Sequence, residues 1–337
     1  MDAPGVLLSG IYKLPAATRR RLLFAWSNQR LPHFRNPHAF NDKVNWRILN
    51  DRRLLLEWTC DKLAMKEHAR GVPGLYIPRT LWAGTDLREL EAVELPENWV
   101  LKPNHRTGLI HFGRGRPDDG QLSAVTRSWH RSVEYEDLAE WAYSRARPLL
   151  LAEEFIGTPG SPPPDYKFFV FDGDVAAIQV DVGRYSAHQR RLYLPDWSPL
   201  EVEYGGFPLA PRQPRPAGLD RMLAVAAELA SDFEFIRIDL YDIGGLVYFG
   251  EFTPYPTGGM ARFVPASFDR ALGARWTLPG KPHASQPPCQ PARQSDDQEA
   301  AVSSRPGNLG MSDRASGIDS YARSGRSWRR ALKVLTT

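Results

Sequence analysis

Cysteine is scarce in this sequence, which has only Cys60 and Cys289 among its 337 residues. We therefore expect neither a disulfide framework nor a zinc site, and a reducing cytoplasm is the expected compartment. Long apolar runs are also missing, since no stretch reaches the roughly 18 apolar residues that a membrane-spanning helix needs. The first ten residues lack a basic region followed by an apolar one, so the sequence shows no secretory signal.

Neither sign of charge is in large excess, because 43 Lys and Arg residues are nearly balanced by 39 Asp and Glu residues, which leaves a net charge of +4. A concentrated basic stripe or a recognisable nucleic-acid module is missing, so a nucleic-acid partner is not expected. The mild positive charge suits small anionic substrates such as nucleotides. Hydrophobic residues make up 42% of the chain, and its length is enough for two or three structural units with a sizeable core.

The most informative stretch of the sequence is residues 235–254, which read as a β-hairpin with Arg237, Asp239, Glu251 and Thr253 at alternate positions. Strand side chains alternate between faces, and an odd-length loop in the run 242–245 would place Asp239 opposite Glu251 on one face.

Two facing carboxylates repel each other unless a proton or a cation lies between them. We interpret the pair Asp239 and Glu251 as a Mg²⁺ site, in which Arg237 could hold a phosphate oxygen. That predicts ATP chemistry. The alternative is an ordinary hairpin whose polar face is exposed to solvent.

Helices and strands alternate along the rest of the chain. Helices are expected at residues 10–35, 40–50, 54–70, 133–147 and 219–231, and strands at residues 99–102, 109–112, 149–156, 166–171, 175–182 and 190–194. Several of the strands form antiparallel hairpins. This pattern predicts an α+β fold with a core sheet covered by helices.

The two ends of the chain are basic. Residues 10–35 include Arg19, Arg20 and Arg21 beside apolar residues, which is typical of plain helix surface, although such a face can also bind a partner or an anionic bilayer. Residues 279–327 are rich in Pro, Ser, Gln and charged residues, and we expect them to be disordered. Residues 327–335 form either a loose chain end or a short basic helix.

Eight short pieces, in order along residues 40–276, resemble the ATP-grasp superfamily, and more narrowly its TupA-like branch, which is associated with teichuronopeptide and other cell-surface polysaccharide biosynthesis. The pieces are residues 40–46 (FNDKVNW), 61–62 (DK), 100–105 (VLKPNH), 152–155 (AEEF), 165–169 (DYKFF), 178–184 (IQVDVGR), 237–241 (RIDLY) and 248–256 (YFGEFTPYP).

The resemblance implies an ATP-grasp fold, in which two α+β subdomains with antiparallel sheets hold ATP between them. It implies four segments of the chain: N-terminal helices in residues 1–70, a subdomain with the lysine loop in residues 71–150, a subdomain with the metal hairpin in residues 151–278, and the tail in residues 279–337.

The resemblance also implies the site residues. In the small-residue loop from Asn104 to Gly108, Arg106, Thr107 and Gly108 replace an expected Gly-Ser-Gly type sequence. Arg106 could therefore contact a phosphate directly. The strand end from Glu153 to Ile156 resembles an adenine-binding hinge. The ATP-binding residues implied in this way are Lys102, His105, Arg106, Thr107, Gly108, Glu153, Glu154, Phe155, Ile156 and Lys167.

The implied metal ligands are Asp239, Glu251 and Thr253, where Thr253 replaces an asparagine found in many ATP-grasp enzymes and leaves a second metal open. The implied catalytic residues are Lys102, Lys167, Arg184 and Arg237. A cationic group between the hinge and the hairpin is expected to receive an acidic acceptor, and it comprises Asp181, Arg184, His188, Arg190 and Arg191.

The function that the resemblance implies is an ATP-dependent and Mg²⁺-dependent carboxylate–amine ligase of cell-surface polysaccharide biosynthesis. Its partners would be ATP, a small acidic or glycan acceptor, an amine and glycan-assembly enzymes. The expected location is the cytoplasm, and a peripheral position at the inner face of the membrane is an alternative. Two alternatives remain at this point. One is a kinase of a sugar or glycan hydroxyl, and the other is a non-catalytic nucleotide-binding subunit of a glycan-assembly complex.

Overall fold

The structure is a computed structural model, and it describes residues 11–158, 163–183 and 187–280. The α-helices in these residues are α1 (Ala16–Asn28), α2 (Phe40–Asn50), α3 (Lys62–Ala69), α4 (Asp119–Thr126), α5 (Val133–Glu136), α6 (Leu219–Leu229) and α7 (Ala266–Ala274). Short 3₁₀ helices lie at Leu54–Leu56, Leu87–Ala92, Trp141–Arg145 and Pro256–Gly259.

The strands are β1 (Leu75–Tyr76), β2 (Thr80–Gly84), β3 (Asn98–Pro103), β4 (His111–Arg114), β5 (Leu150–Glu154), β6 (Asp165–Phe171), β7 (Asp174–Val182), β8 (Gln189–Tyr193), β9 (Pro199–Leu200), β10 (Glu203–Tyr204), β11 (Ile236–Ile243), β12 (Leu246–Thr253) and β13 (Phe263–Val264). They form a seven-stranded sheet in the order β1-β12-β11-β6-β7-β8-β9, a four-stranded sheet in the order β2-β5-β3-β4, and the pair β10-β13. Every pair is antiparallel except β1 with β12. The α+β prediction is therefore confirmed.

One face of the large sheet is apolar along its central strands. Phe168 pairs with Ile238 on one side and with Ile178 on the other, and all three side chains are fully buried. Helix α6 covers this face, because its buried residues recur at the helical spacing of Leu219, Met222, Val225, Ala226 and Leu229.

The opposite face of the large sheet is divided into an apolar end and a polar end. At the apolar end, Phe40 of α2 contacts the rings of Phe169, Phe171 and Phe235, with centroids 5.7, 6.1 and 4.9 Å away. The polar end carries the charged residues of β6, β7 and β11. Aromatic packing by α2 thus covers the apolar half of this face, and the polar half is the part that can form a binding site.

The four-stranded sheet has its own core of Trp99, Leu101, Leu122, Leu90 and Ala152. Because side chains alternate along β3, Lys102 lies on the face opposite to the one that carries Trp99 and Leu101. Glu153 of β5 pairs with Val100 and lies on that second face too. The small sheet therefore presents an acid and a lysine away from its own core.

Three predicted helices differ from the structure. The helix expected at residues 10–35 is shorter, because it ends at Gln29 in the left-handed conformation with φ 53°. The single helix expected at residues 54–70 is wrong, since Asp61 interrupts the segment and accepts a hydrogen bond from Ala64 N at 2.9 Å as the N-cap of α3. The helix expected at residues 133–147 is also interrupted, at Ala139 with φ 56°.

The interpretation of the N-terminal helix as a basic surface is wrong for two of its arginines. Arg19 and Arg20 are buried, at 7% and 1% exposure, whereas the apolar Leu22 and Trp26 are exposed at 46% and 40%. The strand expected at residues 109–112 lies two residues later, after a turn at Gly108 with φ 68°. The expected disorder of the tail concerns residues that lie almost entirely outside the described ones.

In the part of the chain that the structure describes, no helix combines the length and apolarity that crossing a membrane would require.

Candidate functional site

The hairpin of β11 and β12 places Asp239 opposite Glu251, as predicted, but by a different route. The turn has two residues, Gly244 and Gly245, and pairs Ile243 with Leu246. A two-residue turn sets odd-numbered residues opposite even-numbered ones, and a β-bulge between Asp239 and Leu240 then restores the odd pairing. The prediction of an odd-length loop is therefore wrong, while the predicted pairing is confirmed.

The bulge needs a glycine at position 250. A Cβ atom on Gly250 would lie 2.7 Å from the carbonyl oxygen of Asp239. No side chain fits so close to a neighbouring backbone. The absence of a side chain at this position therefore keeps the two carboxylates on one face.

The carboxylate of Asp239 is held by two cations. Arg237 donates two hydrogen bonds to it, from Nε to Oδ1 and from Nη2 to Oδ2, each 2.7 Å long. Lys167 of β6 donates to the same carboxylate and also to Asp165 Oδ2 at 2.6 Å. Burial raises the pKa of Asp239 to about 6, although Arg237 and Lys167 both act to lower it.

The same arginine connects Asp239 with the other two predicted ligands. Its Nη2 lies 3.4 Å from Glu251 Oε1 and donates to Thr253 Oγ1 at 3.0 Å. Asp239 is 2% exposed, and the side chain of Glu251 is 29% exposed. The hairpin is therefore not the solvent-facing one of the alternative interpretation, since its polar face is largely covered.

The donor set of this face fits Mg²⁺. Two carboxylates and a hydroxyl are hard oxygen donors, and magnesium is commonly held by one or two carboxylates together with phosphate oxygens. Among residues 11–158, 163–183 and 187–280 there is no group of three or more His, Cys, Asp or Glu side chains arranged to hold a metal ion. The protein could thus supply part of the coordination shell, with nucleotide oxygens completing it.

On the small sheet, the partly exposed Lys102 forms an ion pair with the buried Glu153. The distance from Lys102 Nζ to Glu153 Oε2 is 2.5 Å, and Lys66 of α3 pairs with the other oxygen of the same carboxylate. Burial opposes ionisation of Glu153, but the two lysines outweigh it and keep its pKa below the usual value. Lys66 also donates to Pro78 O and Thr80 Oγ1, so it is held by two hydrogen bonds in addition to the ion pair.

The predicted hinge residues are at the end of β5, and their two acids are already engaged. Glu153 binds the lysines just described, and Glu154 Oε1 accepts a hydrogen bond from Arg79 N at 2.7 Å. Phe155 contacts the ring of Phe112, with centroids 5.9 Å apart, and Ile156 is half-buried. Glu153 and Glu154 still pair with neighbouring strands, so only the backbone of Phe155 and Ile156 lies beyond the last strand pairing.

The predicted loop after β3 is fastened to its surroundings at several points. Asn104 is fully buried; its Oδ1 accepts from Leu63 N at 2.9 Å, and its Nδ2 donates to Arg147 O at 2.9 Å. His105 Nε2 lies 3.3 Å from the carbonyl oxygen of His130, and burial is the main cause of its lowered pKa. His105 is thus positioned as a structural hydrogen-bonder.

Lys62 is a site residue that the sequence analysis matched but gave no role. Its Nζ donates to Arg106 O in the loop after β3. Burial lowers its pKa, while the negative charges of Glu251 and Glu134 raise it. Lys62 therefore interacts electrostatically with Glu251 of the hairpin and is hydrogen-bonded to the loop of the small sheet. The sequence signal for it was the matched piece Asp61-Lys62, which gave no indication of its contacts.

The predicted acceptor cluster is only partly assembled. Asp181 binds Arg190 with contacts of 2.6 and 3.1 Å, and His188 Nε2 lies 3.3 Å from the same carboxylate. Arg191 is the next residue along β8 and points to the other face, where it donates to Ala210 O at 2.6 Å. The expectation that Arg191 joins this cluster is wrong for that reason. Arg184 lies outside the described residues.

Asp181 also changes the charge of the cluster. Burial opposes its ionisation, yet Arg190 and the nearby His188 hold its pKa well below the usual range. The guanidinium of Arg190 stacks on Phe207, with its carbon 4.4 Å from the ring centroid. The cluster is therefore a neutralised ion pair with an aromatic cover, and it is less cationic than its sequence suggested.

The model of one protein family, the TupA-like ATP-grasp family, matches residues 42–277. The chain belongs to this family. The match includes the hairpin, both sheets and the loop after β3, and it begins after α1. No curated protein matches the chain significantly.

Solved structures of ATP-grasp enzymes are similar to this family member at low identity. D-alanine–D-alanine ligase from Bacillus anthracis is 18% identical, with 66% of this chain and 67% of that chain covered and a TM-score of 0.39. Its complex with ATP is 15% identical, with 60% and 56% covered and a TM-score of 0.35. N5-carboxyaminoimidazole ribonucleotide synthetase from Thermus thermophilus is 17% identical, with 64% and 52% covered and a TM-score of 0.35. The chain spans about half to two thirds of the length of these structures.

Proposed function

We propose that this TupA-like ATP-grasp protein is an ATP-dependent carboxylate–amine ligase that acts through an acyl-phosphate in the synthesis or modification of a cell-surface polysaccharide. The observation that carries the proposal is the linked group of Lys167, Asp239, Arg237, Glu251 and Thr253 on one covered face of the large sheet. Membership of the TupA-like family supports the polysaccharide role.

The roles assigned to the residues follow from charge and position. Lys102 and Lys62 would neutralise phosphate oxygens from the side of the small sheet, and Lys167 and Arg237 from the side of the large sheet. Asp239, Glu251 and Thr253 would hold Mg²⁺, which when bound neutralises the charge of the phosphates. Phosphoryl transfer needs mainly positioning and charge neutralisation, which fixed lysines and a buried arginine supply.

The proposed reaction has two steps that balance. A carboxylate oxygen of the acceptor attacks the γ-phosphorus of ATP, and ADP leaves. The amine nitrogen then attacks the acyl carbon, inorganic phosphate leaves, and the amine loses a proton. The substrates proposed for the site are therefore ATP, a small acidic or glycan acceptor and an amine, with a cytoplasmic location for the reaction.

The test is incubation of the full chain with Mg-ATP labelled at the γ-phosphate, together with panels of acids and amines. A ligase releases labelled phosphate only when both an acid and an amine are present. Label that stays on a hydroxyl acceptor without an amine would instead identify a kinase. ATP binding without any turnover would support the non-catalytic subunit and contradict the ligase.

A matched pair of variants tests the site itself. Asp239→Asn removes one proposed metal ligand and should abolish phosphate release, whereas Asp174→Asn makes the same chemical change at an exposed strand end and should leave it intact. Equal activity of the two variants would contradict the assignment of the hairpin as the metal site.

A further inference from the structure

The loop from Asn104 to Gly108 is already bound to an anion of the protein itself. Thr107 donates its backbone N–H to Glu134 Oε1 at 3.2 Å, and its hydroxyl Oγ1 lies 3.3 Å from the same oxygen. The guanidinium Nε of Arg106 lies 3.4 Å from Glu134 Oε2. Glu134 is 27 residues away from Thr107 in sequence and reaches the loop from α5.

The two hydrogen-bond donors of Thr107 and the charge of Arg106 are the kind of groups that a phosphate requires. Backbone N–H groups of a small-residue loop, a threonine hydroxyl and an arginine bind phosphoryl oxygens through charge-assisted hydrogen bonds. A carboxylate has the same charge sign and the same acceptor geometry for a single N–H. Glu134 therefore occupies groups of the loop that the family resemblance assigns to ATP.

The contact is sheltered but incompletely satisfied. The side chain of Glu134 is 10% exposed, so its charge is largely removed from water. Its Oε2 has no hydrogen-bond donor among the described residues, and Arg106 is the one cation there within ion-pair distance. An anion with one unsatisfied oxygen is held less firmly than a fully bonded one, since each missing bond to a buried charge is costly.

We propose that Glu134 is an internal anion that occupies the phosphate-binding loop in the nucleotide-free protein and is displaced from it by the triphosphate of ATP. This inference rests on the proposed function, because it requires that the loop binds phosphate. The carboxylate would keep the loop in shape while it is empty, and it would have to leave Thr107 before the phosphates could bind there.

The test is an equilibrium titration of the full chain with Mg-ATP and, separately, with adenosine. Glu134→Gln keeps the shape of the side chain and removes its charge. Glu136→Gln is the matched control, since Glu136 lies on the same helix and pairs with Arg131 at the surface. We expect Glu134→Gln to bind ATP about tenfold more tightly, the size of one charge-assisted hydrogen bond. Its affinity for adenosine should not change, and Glu136→Gln should resemble the unmodified protein with both ligands.

Unchanged or weaker ATP binding by Glu134→Gln would overturn the inference while leaving the proposed function intact. Absence of ATP binding by the unmodified chain would overturn both. Should the variant fail to fold, a structure of the unmodified protein with Mg²⁺ and a non-hydrolysable ATP analogue decides the question. Thr107 N should then lie beyond hydrogen-bond distance from Glu134, and a retained contact would refute the displacement.

Discussion

Asp239 lies directly opposite Glu251 because Gly250 adds one residue to β12 at a bulge. Without the bulge, the register set by the two-residue turn would pair Asp239 with Gly250, and Glu251 would point to the other face of the sheet. The pairing of the two carboxylates therefore depends on a residue that has no side chain.

Replacement of Gly250 by alanine should disturb both stability and the site. The new Cβ would lie 2.7 Å from the carbonyl oxygen of Asp239, and relief of such a contact usually costs about 1–3 kcal/mol. We expect urea unfolding to report a loss in this range. We also expect the Mg²⁺ dependence of ATP turnover to weaken, because the strand must shift relative to Asp239.

The control for this change is Gly280→Ala, where a Cβ would meet no atom within 4 Å. That variant should unfold like the unmodified chain. If Gly250→Ala also left urea unfolding and the Mg²⁺ dependence of ATP turnover unchanged, the bulge would not be what positions Glu251.

Lys66 and Lys102 share the carboxylate of Glu153 but should respond differently to substitution by methionine. Lys66 donates two hydrogen bonds within the protein and pairs with the buried Glu153, so its loss leaves Glu153 and Thr80 short of a partner. Breaking a buried ion pair in this way costs about 3–5 kcal/mol. Lys102 is 21% exposed and has only Glu153 as an ion-pair partner among the described residues, so its loss should cost less stability.

For nucleotide binding we expect the reverse order, with a larger loss of affinity in Lys102→Met than in Lys66→Met. Lys102→Met should weaken ATP binding by about tenfold or more, the effect of one lost contact to a charged group. Lys66→Met should keep most of the affinity in buffers where it remains folded. Titration with ATP alongside urea unfolding separates the two, and a larger loss of ATP affinity in Lys66→Met would contradict these roles.

The strands of the site could be predicted from sequence because their polarity alternates with a period of two. That pattern placed Arg237, Asp239, Glu251 and Thr253 together, and the structure agrees. The same rule implied that Arg190 and Arg191 face opposite sides of β8, although the sequence analysis grouped them. Loop length was not readable in this way, because a turn and a bulge compensate for each other in the register.

Contacts between segments that are distant in the sequence could not be predicted from the sequence pattern. Lys62 meets the carbonyl of Arg106 across 44 residues, and Glu134 meets Thr107 across 27. The sequence around Lys62 and Glu134 contains no local motif that predicts a contact with a distant loop. Arg19 and Arg20 show the same limit, since a row of three arginines looked like helix surface while the first two of them are buried. Which face of a helix is covered depends on what packs against it.

Glu140 should make the stability of the protein depend on pH. Burial raises the pKa of its carboxyl from the usual 4.5 to about 8. The folded protein therefore holds this proton more strongly than the unfolded chain does, and the stabilisation is complete below about pH 4.5 and is lost as the pH rises towards 8. Across that range the free energy of unfolding should fall by up to about 1.4 kcal/mol per pH unit from this group.

Glu140→Gln removes the titrating carboxyl and keeps the shape of the side chain. Urea unfolding of both proteins between about pH 5 and about pH 8 should show that the unmodified chain loses stability relative to the variant as the pH rises. Curves that run parallel over this range would mean that Glu140 does not retain its proton in the folded state.

Arg20 should stabilise the fold although it lies before the part of the chain that matches the family. Its guanidinium donates to Asn45 Oδ1 at 2.8 Å and to the carbonyl oxygens of Leu138 and Gly258, so it links α1 with α2 and with the turn after β12. Burial lowers its pKa to about 10, in spite of the nearby Glu140. Substitution by methionine would leave three acceptors without their donor.

We expect Arg20→Met to lower the free energy of unfolding by about 3 kcal/mol or more, since each buried acceptor left without a donor costs about 1–3 kcal/mol. The neighbouring Arg21 is exposed, and Arg21→Met should stay within about 0.5 kcal/mol of the unmodified chain. The comparison isolates burial, because the chemical change is the same one residue apart. Equal stability of the two variants would show that α1 is not fastened to the rest of the fold through Arg20, and the turn from Pro256 to Gly259 would then be held by other contacts such as the hydrogen bond from Asn45 Nδ2 to Gly259 O.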